Sequence, residues 1–192
     1  MSCRLHILGA SGTGVTTLAR AVAALWAVPC HDTDDYFWEP TDPPYVTPRP
    51  VAERLALMER LFLPRPHWVL AGSLVGWGDG LIPRFDLVVF LTLDPALRLA
   101  RLRAREVLRL GPDAVAPGGA RHDSHHAFMD WATGYDEPAF AGRSRHRHEA
   151  WLEGLALPVL RLDSARPVPD LAAAVQAATA ALHRTPGPHD WP

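Results

Sequence analysis

Apolar positions along this chain follow two rhythms. Residues 4–8, 28–31, 67–71, 87–91 and 158–163 are short, largely apolar runs that lead into turns carrying glycine, aspartate or serine. Leu87-Val88-Val89-Phe90-Leu91 is the clearest of them, and continuous apolar runs of this length are what parallel strands covered on both faces look like. Between the runs the period changes to that of a helix. Residues 16–25 follow the first run. Residues 51–63 place apolar side chains at 51, 55, 58 and 62, with Pro50 suited to the first turn. Asp94 followed by Pro95 is an N-cap with proline at the first helical position, opening a helix that runs to about Leu110. Shorter helical patterns cover 127–131 and 144–155, and an alanine-rich one covers 169–182.

Strand and helix alternate five times, which predicts an α/β fold: a three-layer, five-stranded parallel sheet with helices on both faces. Residues 1–184 read as a single domain with an inserted segment at about 110–145, and 185–192 as a loose tail. Residues 39–50, with prolines at 40, 43, 44, 48 and 50, read as an irregular surface loop.

In a parallel sheet, ligands collect beyond the carboxyl ends of the strands. That edge carries the stretch Gly9-Ala10-Ser11-Gly12-Thr13-Gly14-Val15-Thr16-Thr17, then Asp32 to Asp35, Gly72-Ser73, Asp94 and Asp163-Ser164. Gly9, Gly14 and Thr16 fit the phosphate-loop spacing G-x-x-x-x-G-K-S/T, in which backbone N–H groups and a helix N-terminus face a phosphate chain. A glycine turn that only packs strand against helix has the same composition. The lysine position holds Val15.

Composition sharpens that gap. The 19 basic residues are all arginine, so a cation replacing the lysine is an arginine or a metal. A net charge of −2 gives no case for a nucleic-acid or membrane-surface partner, and no run is long enough to span a membrane. Cys3 and Cys30 form neither a disulfide framework nor a zinc cluster, and without a signal-peptide pattern the chain reads as cytoplasmic. His122, His125 and His126 with Asp123 share a helical face but read as polar surface rather than a metal centre.

Other candidates follow from position. Arg98, Arg101, Arg105 and Arg109 are spaced 3, 4 and 4, one stripe along a helix, which suits a solvated face or a phosphate-gripping one. Trp38 and Trp77 flank the sheet edge and suit stacking on a ring or rim packing, and Arg49 and Arg54 suit an acceptor's phosphate or carboxylate.

From the loop at 9–17 to the strand end at 163–167, the chain resembles the P-loop small-molecule kinases, the group of adenylate, shikimate and gluconate kinase. It is especially similar to bacterial adenylate-kinase-like ATPases whose G-A-S-G-x-G-x-T-T loop lacks the lysine. The resemblance implies ATP and Mg²⁺: Gly9, Gly12, Thr13, Gly14, Val15, Thr16 and Thr17 around the phosphates, with Thr16 and Asp32 at the metal. Asp32 and Asp34 resemble the D-x-D of shikimate and gluconate kinases, which makes Asp34 the group that orients or deprotonates an acceptor hydroxyl; an Asx turn capping a helix explains the same residues. Arg101 and Arg105 match the R-x-x-x-R of a lid helix, and Arg143, Arg145 and Arg147 its returning side. Gly72 and Ser73 match a strand end near the transferring phosphoryl group, and Arg166 lies in a loop that cups adenine. The implied activity is transfer of the γ-phosphoryl group of ATP to a small hydroxyl- or phosphate-bearing acceptor. Nucleotide binding without transfer, or slow ATP hydrolysis, is the alternative that Val15 keeps open. The oligomeric state is not legible.

Overall fold

A computed structural model describes residues 3–182. Its strands are β1 (Arg4–Gly9), β2 (Cys30–Asp32), β3 (Trp68–Ala71), β4 (Leu87–Thr92) and β5 (Val159–Asp163), all parallel in the order β2-β3-β1-β4-β5. The helices are α1 (Val15–Trp26), α2 (Thr33–Phe37), α3 (Val51–Leu61), α4 (Pro95–Leu110), α5 (Pro112–Val115), α6 (His122–Thr133), α7 (Arg145–Glu153) and α8 (Val168–Leu182).

The pleat of the central strands explains the two cores. Along β1, Leu5 and Ile7 point to one face and His6 and Leu8 to the other. The first face packs with Val69, Val89 and Leu91 against Leu18 and Val22 of α1 and Leu171 and Val175 of α8. The second packs Leu8, Leu70 and Phe90 against Met58 of α3 and Leu152 of α7, with the indole of Trp68 wholly buried among them. A third, smaller cluster joins Leu102 of α4 to Met129 and Ala132 of α6. The expected fold class stands: helices cover both faces of a five-stranded parallel sheet.

Several boundaries differ from expectation, each for a local reason. Strand β2 starts at Cys30 rather than 28 because it pairs only with the last residues of β3, Val69 to Ala71. The Asp32 carboxylate accepts the amide of Asp34 at 3.1 Å, and this cap opens α2 in what looked like a bare strand end. Helix α6 is longer than 127–131 because Met129 and Ala132 bury against Leu102. Residues 79–84 form a 3₁₀ turn after β3. The proline-rich loop is tied off as a narrow hairpin: Trp38 bridges Pro48, and the amide of Glu39 donates to the Thr47 carbonyl at 2.9 Å. The expected cap is in place, with Asp94 accepting from the Leu97 amide at 3.0 Å, while Ser144 caps α7 rather than joining it, accepting from the Arg147 amide at 3.3 Å. Residues 1–2 and 183–192 lie outside the described residues, so the tail expected at 185–192 goes untested.

Gly72 decides where α2 sits. Its φ is +107°, and a Cβ there would fall on the side chain of the buried Thr33. Only glycine lets the end of β3 approach the first turn of α2 this closely. That approach sets Asp32 and Asp34 beside the loop that follows β1.

Candidate active site

The loop 10–14 between β1 and α1 is held from below and behind. Thr13 is buried, and its hydroxyl and amide both donate to the Ala10 carbonyl, at 2.8 and 3.1 Å. Gly12 has φ +91°, and a Cβ on it would meet the Arg98 carbonyl at 2.7 Å, so the loop lies flat on α4. Gly14 caps α1 with no side chain bonded to the first turn, leaving the amides there without a side-chain partner. Val15 points away from this mouth. It is buried in the first core, and a Cβ on Gly9 would stand 3.2 Å from its methyl group.

Thr16 and Asp32, which came only from the resemblance as a metal pair, are in contact. The Thr16 hydroxyl donates to Oδ2 of Asp32 at 3.0 Å while Oδ1 takes the Asp34 amide. Asp32 therefore caps α2 and faces the loop with its other oxygen, so the two readings of the D-x-D are compatible. Hard oxygens of this kind suit Mg²⁺, which takes one or two protein ligands and completes its shell with phosphates and water. Among the described residues no cluster of three histidine, cysteine or acidic side chains could hold a metal, and on α6 His122 pairs with Asp123 and His126 with Asp130.

Asp34 keeps an open side to solvent, yet protein crowds its carboxyl group. That desolvation, with the neighbouring Asp32 charge, raises its pKa above the ordinary carboxylate value, while Arg143 and Arg105 pull it back.

The arginines divide sharply. Arg98 is not on a solvated stripe: it is 1% exposed, donating to the Ser11 carbonyl at 3.1 Å, the Ala132 carbonyl at 3.0 Å and Asp136 at 2.9 Å. Arg101 reaches the Ser164 carbonyl at 3.0 Å, and Arg105 and Arg109 close over the buried carboxylate of Glu106. Arg145 pairs with Asp136, and Arg147 donates to the Ala141 and Gly142 carbonyls. Arg143 is the member of its cluster that touches the loop, its Nη2 donating to the Ser11 hydroxyl at 2.7 Å. Arg166 is exposed beside Ser164 at the end of β5, and Thr17 is exposed on the first turn of α1.

On the other side of Asp34, Arg49 is a fastener. Its guanidinium donates to the Tyr36 and Trp38 carbonyls at 3.2 and 3.1 Å, leaving Trp38 to pack on Tyr45. Arg54 is 7% exposed and has no carboxylate partner among the described residues; it stacks 3.7 Å over Phe37 and 5.1 Å from Trp77, and donates Nε–H to the Arg49 carbonyl. Burial lowers its pKa from the usual arginine value. Ser73 turns inward. Its hydroxyl is paired with Nε2 of His148 at 3.0 Å, and Nδ1 of His148 with the Tyr135 hydroxyl at 2.9 Å.

This buried Ser73-His148-Tyr135 chain gives no sequence signal, since its members come from three elements with no shared spacing. Burial brings the His148 pKa down to about 3, and that of His6, stacked under Phe85, to about 4. An unfolded chain takes up both protons near pH 6.5. Below that pH the unfolded state binds more protons than the fold, so stability falls with acidification until about pH 3 to 4. We expect the urea midpoint to drop from pH 7 to pH 4, with each imidazole contributing up to about tenfold in the folding equilibrium per pH unit. His148→Gln should flatten its share of that slope; parallel pH profiles for the two proteins would show that the imidazole charges in place.

No family model matches the chain. Among solved structures it is similar to the shikimate kinase of Acinetobacter baumannii in complex with shikimate, with a TM-score of 0.57 at 15% identity, covering 96% of this chain and 97% of that one. A sugar kinase of Janibacter sp. HTCC2649 gives 0.53 at 16% identity over 94% and 95% of the two chains. A gluconokinase of Sinorhizobium meliloti 1021 gives 0.50 at 16% identity over 96% and 98%. At these identities the likeness establishes the P-loop kinase fold. Sequence establishes a nearer kinship: over 163 residues, 85% of this chain and 89% of the relative, it is 39% identical to the uncharacterized protein YqaC of Bacillus subtilis (strain 168), and the chain belongs to the YqaC family.

Proposed function

We propose that this protein binds ATP with Mg²⁺ on the loop 9–17 and transfers the γ-phosphoryl group to a small acceptor bearing a hydroxyl or phosphate. The Thr16–Asp32 contact carries the reading, because it unites the first helical hydroxyl after the glycine loop with the first acid of the D-x-D. When bound there, Mg²⁺ neutralises phosphate charge. The loop amides cradle the phosphates, and Asp34 accepts the proton of the acceptor hydroxyl as its oxygen bonds to phosphorus and the bond from phosphorus to the ADP oxygen breaks. Arg54, unpaired and desolvated between Phe37 and Trp77, favours an acceptor that carries an anionic group. The segment at about 110–145, with Arg143 and Arg145 at its return, serves as the lid.

The second reading is a nucleotide-binding protein or slow ATPase without transfer, and the core position of Val15 favours it. ADP release measured across nucleosides, nucleoside monophosphates and small hydroxy acids separates the two: acceptor-dependent release supports transfer, and release or binding indifferent to every acceptor supports the alternative. Thr16→Ala and Asp32→Asn are expected to lose about tenfold of the Mg²⁺-dependent tightening of ATP while binding in EDTA stays as in the wild type, read by calorimetry in both conditions. Equal losses with and without Mg²⁺ would remove these two residues from the metal.

A further inference from the structure

We infer that Arg143 supplies the positive charge that the loop lacks at Val15, an inference that rests on the nucleotide-binding reading above. A lysine at the start of α1 would put a cation over the loop from within. Here Val15 is committed to the core beneath Gly9, and the chain contains no lysine. A side-chain charge over the loop, beside any that a metal supplies, then comes from an arginine that reaches it from outside.

The hydrogen bonds eliminate most of them. The guanidiniums of Arg101, Arg105 and Arg147 donate to groups away from the loop, and Arg145 is paired with Asp136. Arg98 does touch the loop, but through the Ser11 carbonyl, with its other terminal nitrogen spent on Ala132 and Asp136. Arg54 lies in its aromatic stack on the acceptor side. Arg143 is different. Its Nη2 donates to the Ser11 hydroxyl at 2.7 Å, its face rests 5.0 Å from the Trp131 ring, and among the described residues its Nη1 has no hydrogen-bond partner and no carboxylate lies within ion-pair distance. A half-buried guanidinium held by a neutral hydroxyl is poised to exchange that bond for a phosphoryl oxygen. Such a donor is already oriented before charge arrives, which is the condition under which it contributes most. Trp131 sets the plane of the fork, and Ser11 fixes its height over the loop.

The test is ATP and ADP affinity by calorimetry in Mg²⁺ for the wild type, Arg143→Gln and Arg143→Lys. Arg143→Gln is expected to lose about tenfold to a hundredfold in ATP affinity, as for loss of one charged hydrogen bond, with a smaller loss for ADP. Arg143→Lys should recover part of it. Should Arg143→Gln unfold, Ser11→Ala removes only the bond that holds the guanidinium and is expected to weaken ATP a fewfold in the folded protein. Unchanged ATP affinity in Arg143→Gln, or in Ser11→Ala where that variant is needed, overturns the assignment. So does a loss of the same size confined to Arg101→Gln or Arg105→Gln. Wild-type protein that binds neither nucleotide overturns the nucleotide reading and this inference together, whereas tight wild-type binding with an indifferent Arg143→Gln sinks the inference alone.

Discussion

Arg98→Ala is expected to destabilise the fold by about 3–5 kcal/mol, the cost of leaving one member of a buried ion pair without its partner. Arg98 is 1% exposed and joins the Ser11 carbonyl of the glycine loop, the Ala132 carbonyl at the end of α6, and Asp136 beyond it. Its aliphatic stem also forms the floor under Gly12. Arg145, 3.2 Å from Asp136, is left to partner it once Arg98 is gone, which moves the expectation toward the lower end. Arg98→Met keeps the stem and should recover part of the packing but not the polar bonds. Arg103, exposed on the same helix, gives the reference: Arg103→Ala should fall within about 0.5 kcal/mol of the wild type. Urea denaturation of the three variants measures all of this. An Arg98→Ala midpoint matching that of Arg103→Ala would mean that the loop holds its shape without the buried pair.

The pair also marks where the sequence stops being readable. Arg98, Arg101, Arg105 and Arg109 have one helical spacing, so periodicity assigns them one face and one role. What separates them is α6, which packs Met129 and Ala132 onto Leu102 and so covers Arg98 while leaving Arg101, Arg105 and Arg109 in solvent. Arg98 and the Ala132 carbonyl it holds are 34 residues apart, and a contact at that separation leaves no trace in local pattern. The same holds for Arg49 and Ser73. Arg49 has the right chemistry and Ser73 the right strand end, and each spends its polar atoms on carbonyls or on His148. Conversely, the strands, the Asp94-Pro95 helix start and the glycine loop were legible because each is a local device: an apolar run, a cap, a turn that demands φ near +90° at Gly12. Helix α2 was hidden by its length, since five residues do not complete two turns and show no period.

Asp34→Asn carries the largest expected effect on chemistry, a loss of about 10²–10⁴ in acceptor-dependent phosphoryl transfer with the fold intact. The substitution keeps the shape of the side chain, and no cap is lost, because the α2 cap is the Asp32 carboxylate and Asp34 contributes only its backbone amide. What disappears is a base whose pKa already stands above the ordinary carboxylate value through desolvation and the Asp32 charge, and is therefore nearer to that of a useful proton acceptor at neutral pH. Below that raised pKa the carboxyl group is protonated and cannot accept, so the wild-type rate should fall on the acid side. In Asp34→Asn the residual rate should lose that limb. ATP affinity should hold or tighten, because removing a carboxylate near Arg143 frees more of the guanidinium's field for the phosphates. That combination separates transfer from mere binding: a slow ATPase that positions only water and nucleotide would lose no acceptor-dependent rate, having none. Steady-state transfer and ATP titration on the same preparation give both numbers, and wild-type transfer rates in Asp34→Asn would move the proton acceptor away from the D-x-D altogether.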